Sequence, residues 1–250
     1  MQTIELVLTD YQQFTRPAES SLHMLYYDNT PHSCLLILPG GGYEHLAIFK
    51  EGIAIQQWAH SNHLHAALFA YQIENLTPEK IIIAVDDCLK MLKSNPLIKK
   101  IILIGFSAGG HLAMLFAKNH PKNIAGIILC YPVVYLTGPY AHQGSAQHFF
   151  GTTYSEKQAN FFSSINGLPI SPPPCFIWHT YGDQSVPIEN SQALAEALTE
   201  KKGMVELHFF PKGKHGLAMT NQDPFIQQWV FLAESWINRL LKRKEEKNND

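Results

Sequence analysis

The chain has 250 residues, enough for one α/β domain with a sizeable core. Hydrophobic residues make up 46% and charged residues 16%, a balance that excludes intrinsic disorder. A formal net charge of -2 gives no electrostatic case for nucleic acid, and no apolar stretch is long enough to span a membrane.

The opening residues Met1-Gln2-Thr3-Ile4-Glu5 lack a basic region followed by an apolar one, so no signal peptide is evident. Cys34, Cys88, Cys130 and Cys175 form no C-x-x-C pair and lie mostly in or beside apolar runs. They read as reduced, buried small residues, which fits a cytoplasmic protein.

In chain order, Glu5–Leu8 and Leu22–Tyr27 are expected as antiparallel edge strands, and Ser33–Leu38 as a strand followed by a glycine loop. Glu51–Ser61 is expected as a helix, Leu64–Tyr71 as a strand, and Pro78–Lys93 as a helix with proline in its first turn. Strand Lys100–Ile104 precedes helix Ser107–Asn119, and strands follow at Ile124–Cys130 and Pro174–Thr180. Helix Ile188–Lys201, strand Val205–Phe210 and helix Pro224–Leu241 complete the pattern, with 242–250 as a frayed tail. In the last helix, Phe225, Trp229, Leu232, Trp236 and Leu240 form one apolar stripe, with Asp223 as its N-cap. Alternation of this kind implies a mostly parallel sheet covered on both faces, in a single domain.

One region breaks the alternation. Residues 131–173 carry eight aromatic residues between two strands. A loop this long is functional or disordered, and its aromatic content argues against disorder. It is expected to be a small cap over the carboxyl edge of the sheet, supplying walls of a pocket.

The most informative stretch is Gly105-Phe106-Ser107-Ala108-Gly109, a Gly-x-Ser-x-Gly motif between an apolar strand and a helical run. A serine on such a tight strand-to-helix turn is a nucleophile elbow, and the glycines allow strand and helix to approach closely. The motif alone is weak, but its strand and helix strengthen it. The Ala108 N–H opens the helix and is placed to meet developing negative charge.

A serine hydroxyl needs a base, and the base needs an orienting group. Composition does not choose among 13 histidines; position selects His215, in a glycine-flanked loop after the last strand. His179 and His208 read as packing or hydrogen-bonding residues. His63 and His65 have no clustered acid or cysteine, so they make a poor metal site, and neither metal nor organic cofactor is expected. Asp183 follows strand Pro174–Thr180 on the same sheet edge as Ser107, whereas Asp86 and Asp87 sit within a helix. The loop Pro39-Gly40-Gly41-Gly42-Tyr43 exposes backbone N–H groups, and those near Gly41 and Gly42 are candidates to complete an oxyanion hole with Ala108. It lacks the Lys-Ser/Thr ending of a phosphate-binding loop. Tyr43, Phe106 and Tyr131 are expected to line the substrate pocket.

With these residues placed, the chain resembles the α/β-hydrolases, and among them the small bacterial carboxylesterases related to hormone-sensitive-lipase-like and acetyl xylan esterase-like proteins. The resemblance rests on Leu38–Tyr43, Gly105–Ala113, Tyr131-Pro132-Val133, Trp178-His179-Thr180, Asp183 with Val186-Pro187, and Gly213–Leu217. Two positions depart from the common pattern: Pro39 stands where lipase-like relatives have histidine, and Gly182 where relatives often carry a second acid. The resemblance implies an α/β-hydrolase fold and a serine esterase with Ser107 as nucleophile, His215 as base and Asp183 as orienting acid. It further implies short acyl esters, acetylated sugars among them, as substrates. A small amidase or peptidase-type hydrolase and a non-catalytic ligand-binding protein are the rival readings, and a homodimer is compatible with a free sheet edge.

Overall fold

The computed structural model describes residues 3–4, 14–219 and 223–246. Its centre is an eight-stranded sheet in the order β1-β2-β4-β3-β5-β6-β7-β8. The strands are β1 (Thr3–Ile4), β2 (Ser21–Leu25), β3 (His32–Leu38), β4 (His65–Ala70), β5 (Ile98–Phe106), β6 (Ile124–Cys130), β7 (Cys175–Thr180) and β8 (Val205–Phe210). β2 runs antiparallel to β4, and all other neighbours are parallel. The central strands are buried on both faces, so β6 reads as Ile-Ala-Gly-Ile-Ile-Leu-Cys without alternation. This is the α/β-hydrolase fold.

Helices α1 (Ala54–Ser61), α2 (Pro78–Ser94), α3 (Ala108–Asn119), α4 (Gln143–Phe150), α5 (Glu156–Phe162), α6 (Glu189–Glu200) and α7 (Pro224–Glu246) accompany the sheet. Strand periodicity places helices on both faces. On β7, Phe176 and Trp178 point to α7, where Trp178 stacks on Trp229 at 5.0 Å and Phe176 meets Trp236. His179 points the other way and meets Ser191 of α6. Trp58 of α1 touches Trp229, so α1 and α7 share one face.

Register sets the site. Leu38 pairs with Gly105, and Gly105 with Leu129, so β3, β5 and β6 end level with one another. The loops leaving the carboxyl ends of β3, β5, β6, β7 and β8 therefore converge on one edge.

Several boundaries differ from the sequence expectation. The helix expected at Glu51–Ser61 begins earlier, as a π-helical turn over Ile48–Ile53 that leads into α1. α7 continues past residue 241 to Glu246, into the segment expected to fray. Its buried face is Ile226, Trp229, Ala233, Trp236, Ile237 and Leu240. Phe225, expected in the stripe, is 52% exposed because the face rotates by one residue at the first turn. Asp223 does cap the helix, accepting the Phe225 N–H at 2.9 Å. The strand expected at Glu5–Leu8 lies outside the described residues. Residues 131–173 fold around α4 and α5, with Ser155 and Gln158 forming a capping box on α5.

The tightest constraint is the crossing of α3 over β5. A Cβ at Gly109 would lie 2.0 Å from the Leu38 carbonyl oxygen, and one at Gly105 would lie 2.4 Å from the Gly109 oxygen. Both obstacles are backbone, which cannot swing aside. Gly109→Ala is therefore expected to cost about 3 kcal/mol, the upper end for overpacking. Urea unfolding would check it, and a stability unchanged from the parent would show that strand and helix can separate freely.

Candidate active site

Ser107 sits between β5 and α3 with φ 52° and ψ -118°, a region L-residues rarely adopt. Its N–H donates to the Cys130 oxygen at 3.0 Å. Its carbonyl accepts the N–H groups of Gly110 at 2.9 Å and Val133 at 3.0 Å. These bonds hold the strained turn, and the turn points the hydroxyl at the sheet edge.

Asp183, in the loop after β7, is 8% exposed. Its Oδ1 accepts the N–H groups of Ser185 and Val186, each at 2.9 Å. Its Oδ2 accepts His215 Nδ1 at 2.6 Å and His179 Nε2 at 3.1 Å. Burial works to raise this carboxyl, but the bonds from His179 and His215 outweigh it and hold the group well below the usual carboxylate range.

These bonds settle the imidazole protons. A carboxylate only accepts, so His215 Nδ1 carries the hydrogen and Nε2 presents a lone pair. Ser107 Oγ lies 2.8 Å from that Nε2 and donates to it. His179 Nε2 faces two acceptors, Asp183 Oδ2 and the Val186 oxygen, so it donates, while Nδ1 accepts from Ser191. The three residues selected from sequence thus form one continuous relay, and His179 braces the acid at its far end.

The His215 loop bends through Gly213 (φ 132°) and Gly216 (φ 74°). It approaches the acid loop so closely that a Cβ on Gly182 would lie 2.7 Å from the Gly213 oxygen. That contact explains why glycine stands beside Asp183.

Gly41 and Gly42 border the cleft with Ser107 and His215, and both have positive φ. Ala108 opens α3, so its N–H has no carbonyl one turn earlier to bond. The Gly40 N–H is already taken, by Glu51 Oε2 at 2.8 Å.

The expected pocket residues do not line the cleft. Tyr43, Phe106 and Tyr131 are all buried. The left-handed backbone at Tyr43 sends its ring inward, where its hydroxyl meets His111 Nδ1 at 2.7 Å. Phe106 packs on Tyr131 and Trp229. Tyr131 lies edge-on to the His215 ring at 5.0 Å, supporting it from behind. Four aromatic rings of the 131–173 segment behave similarly: Phe149, Phe150, Tyr154 and Phe162 pack on one another, while Tyr140 and Phe161 are exposed away from the cleft. The cleft, of about 340 Å³, is instead walled by polar groups including Glu44, Lys50, Glu51, His142, His148 and Ser185. His142 and His148 bring α4 to the glycine loop, where His148 Nδ1 donates to the Gly42 oxygen at 3.1 Å.

Sequence reasoning also passed over Glu51, which is 2% exposed. A signal was available: helical spacing places Glu51 with Ile48 and Ile55, putting a charge on an apolar face.

The chain is similar to several known proteins. The model of the prolyl oligopeptidase family matches residues 69–243. Endo-1,4-beta-xylanase B of Butyrivibrio fibrisolvens is 31% identical over 227 residues, covering 82% of this chain and 35% of that protein. An acetylxylan esterase of Xylanibacter ruminicola is 25% identical over 233 residues, covering 88% of this chain and 48% of that one. The chain therefore spans only a third to a half of the length of these two curated relatives. The crystal structure of an acetyl ester-xyloside bifunctional hydrolase from Caldicellulosiruptor lactoaceticus superimposes with a TM-score of 0.80 at 30% identity, covering 88% of each chain.

The bonds on Asp183 make a stability prediction. Its folded-state carboxyl titrates below the unfolded value, so its contribution is complete above the unfolded value and is lost as pH falls. Asp183→Asn is expected to be less stable by about 2–3 kcal/mol at pH 7, with the gap narrowing below about pH 5. Urea unfolding across that range decides it, because a gap that holds constant would mean ionisation of Asp183 does not stabilise the loop.

Proposed function

The chain belongs to the prolyl oligopeptidase family of α/β-hydrolases, and we propose that it is a serine carboxylesterase acting on short acyl esters. The observation that carries this reading is the unbroken run from Ser107 through His215 to Asp183, at 2.8 Å and 2.6 Å. The hydroxyl already donates to the nitrogen that must receive its proton, so the first step needs no rearrangement of the relay.

In the proposed reaction Ser107 Oγ attacks the ester carbonyl while His215 Nε2 takes its proton. Asp183 keeps the ring in the required tautomer and offsets the imidazolium charge. The Ala108 N–H, with N–H groups of Gly41 and Gly42, receives the oxyanion. His215 then protonates the departing alcohol, and water activated by the same base releases the acid from the acyl-enzyme.

The acyl group we propose is acetyl, carried on a sugar. The small cleft supports this, since the His142 and His148 imidazoles and the Glu44 carboxyl on its walls can bond the hydroxyl groups of a sugar. The relatives named for acetylxylan and acetyl ester–xyloside hydrolysis lend further support. Amide hydrolysis is the second reading, favoured by the family model. An ester and its matched amide, assayed side by side, separate the two.

Hydrolysis of p-nitrophenyl acetate and butyrate by the wild type and Ser107→Ala tests the proposal. The wild type is expected to prefer acetate, and the variant to lose at least about 10³-fold in kcat while keeping its fold. Equal rates in both proteins would overturn the assignment of Ser107, and a preference for butyrate would overturn the acetyl reading.

A further inference from the structure

Glu51 is an almost wholly buried carboxyl at the floor of the cleft that the run from Ser107 to Asp183 does not use. It lies on the π-helical turn Ile48–Ile53, a form of winding that often marks functional sites. Its Oε2 accepts the Gly40 N–H at 2.8 Å and its Oε1 accepts the Tyr131 hydroxyl at 2.9 Å. That hydroxyl in turn accepts the Ala218 N–H at 3.0 Å. Lys50 Nζ stands 3.9 Å from the carboxyl and donates to the Gly216 oxygen at 2.7 Å.

Two features follow. First, the chain of donors runs one way, from Ala218 to Tyr131 to Glu51 and from Gly40 to Glu51. Both carboxyl oxygens accept, the pattern that best suits an ionised carboxylate, which has lone pairs on both and no hydrogen to place. Second, the partners belong to different loops of the site. Gly40 starts the glycine loop, Tyr131 lies edge-on to His215, and Gly216 and Ala218 follow His215. A Cβ built on Gly40 would lie 2.8 Å from Glu51 Oε2 and 2.9 Å from the Ser107 Cβ, and one on Gly216 would lie 4.0 Å from Glu51 Oε1.

We infer that Glu51 is a positioning residue: one buried negative charge that locks the glycine loop to the His215 loop and supports the imidazolium when His215 holds the Ser107 proton. Asp183 bonds the Nδ1 edge of His215. Glu51 acts from beneath, through Tyr131 and through space, where little water screens it.

The charges around the pair are few. Glu51 faces Lys50 on its own turn, Tyr71 beyond β4, Cys130 and Tyr131 at the end of β6, and His215 beyond β8. Burial pushes both phenols and the thiol upward, so they stay neutral near pH 7. Burial leads at Glu51 and sets its carboxyl above the usual carboxylate range, while Lys50, the Gly40 N–H, the Tyr131 hydroxyl and His215 oppose it in part. His215 faces Asp183 and, from the 131–173 segment, His142.

The experiment follows the His215 ring by ¹⁵N NMR titration in the wild type and Glu51→Gln, with kcat for p-nitrophenyl acetate alongside. Glu51→Gln keeps the shape and removes the charge. The expected result is a His215 midpoint about 0.5 pH unit or more below that of the wild type, with kcat reduced at least about tenfold. A midpoint unchanged within about 0.2 unit would overturn the proposal, since a merely structural residue would cost stability without moving it. If the variant does not fold, the Glu51 carboxyl ¹³C shift of the wild type decides: a carboxylate at pH 7 that responds as His215 titrates supports the proposal, and a protonated acid overturns it. The rate arm rests on the esterase reading and the NMR arms do not. A wild type without turnover would thus refute that reading and leave this one to the titration.

Discussion

Ser107 holds a backbone conformation that costs about 1–3 kcal/mol by itself, and much of the surrounding architecture exists to impose it. Its carbonyl is claimed by donors from α3 and from the loop after β6, and its N–H is claimed by the end of β6. Neither Gly105 nor Gly109 has room for a Cβ, because β5, α3 and the end of β3 meet there backbone to backbone. Strain at the nucleophile is thus balanced by close packing of the three elements that carry the nucleophile, the helix N-terminus and the glycine loop. One contact region fixes the relative position of all three.

Charge is arranged around this point with the same economy. Two buried carboxyl groups flank the His215 ring, and each accepts hydrogen bonds on both oxygens. Asp183 takes four donors and touches the imidazole directly, so its partners overcome the desolvation that burial imposes. Glu51 takes two donors and touches the ring only through Tyr131, and desolvation leads among the influences on it. Burying an unpaired carboxylate would be costly. That both are buried beside the relay points to their working partners, which are the loops that must not move during proton transfer.

The frame of the molecule was legible in sequence because parallel strands buried on both faces appear as unbroken apolar runs, and β6 is recovered residue for residue. Ser107, Asp183 and His215 were legible because each follows a strand that ends on the same edge. What escaped was set by contacts between distant residues. The inward turn of Tyr43 depends on its backbone conformation and on His111, 68 positions away. The role of Glu51 depends on Gly40, Tyr131 and Ala218, which lie on three other loops. The aromatic residues of 131–173 read as pocket walls, but Phe149, Phe150, Tyr154 and Phe162 pack on one another, and His142 and His148 of that segment reach the cleft instead. Composition identified an ordered insertion but could not say which of its residues face inward.

The proposed reaction depends on covalent acylation of Ser107. The direct measurement is rapid acid quench during turnover of p-nitrophenyl acetate, followed by peptide mass mapping. The mass of one acetyl group is expected on the peptide holding Ser107, appearing before steady state and vanishing as substrate is exhausted. Turnover with no acyl group on Ser107, or with the acyl group on another residue, would contradict it.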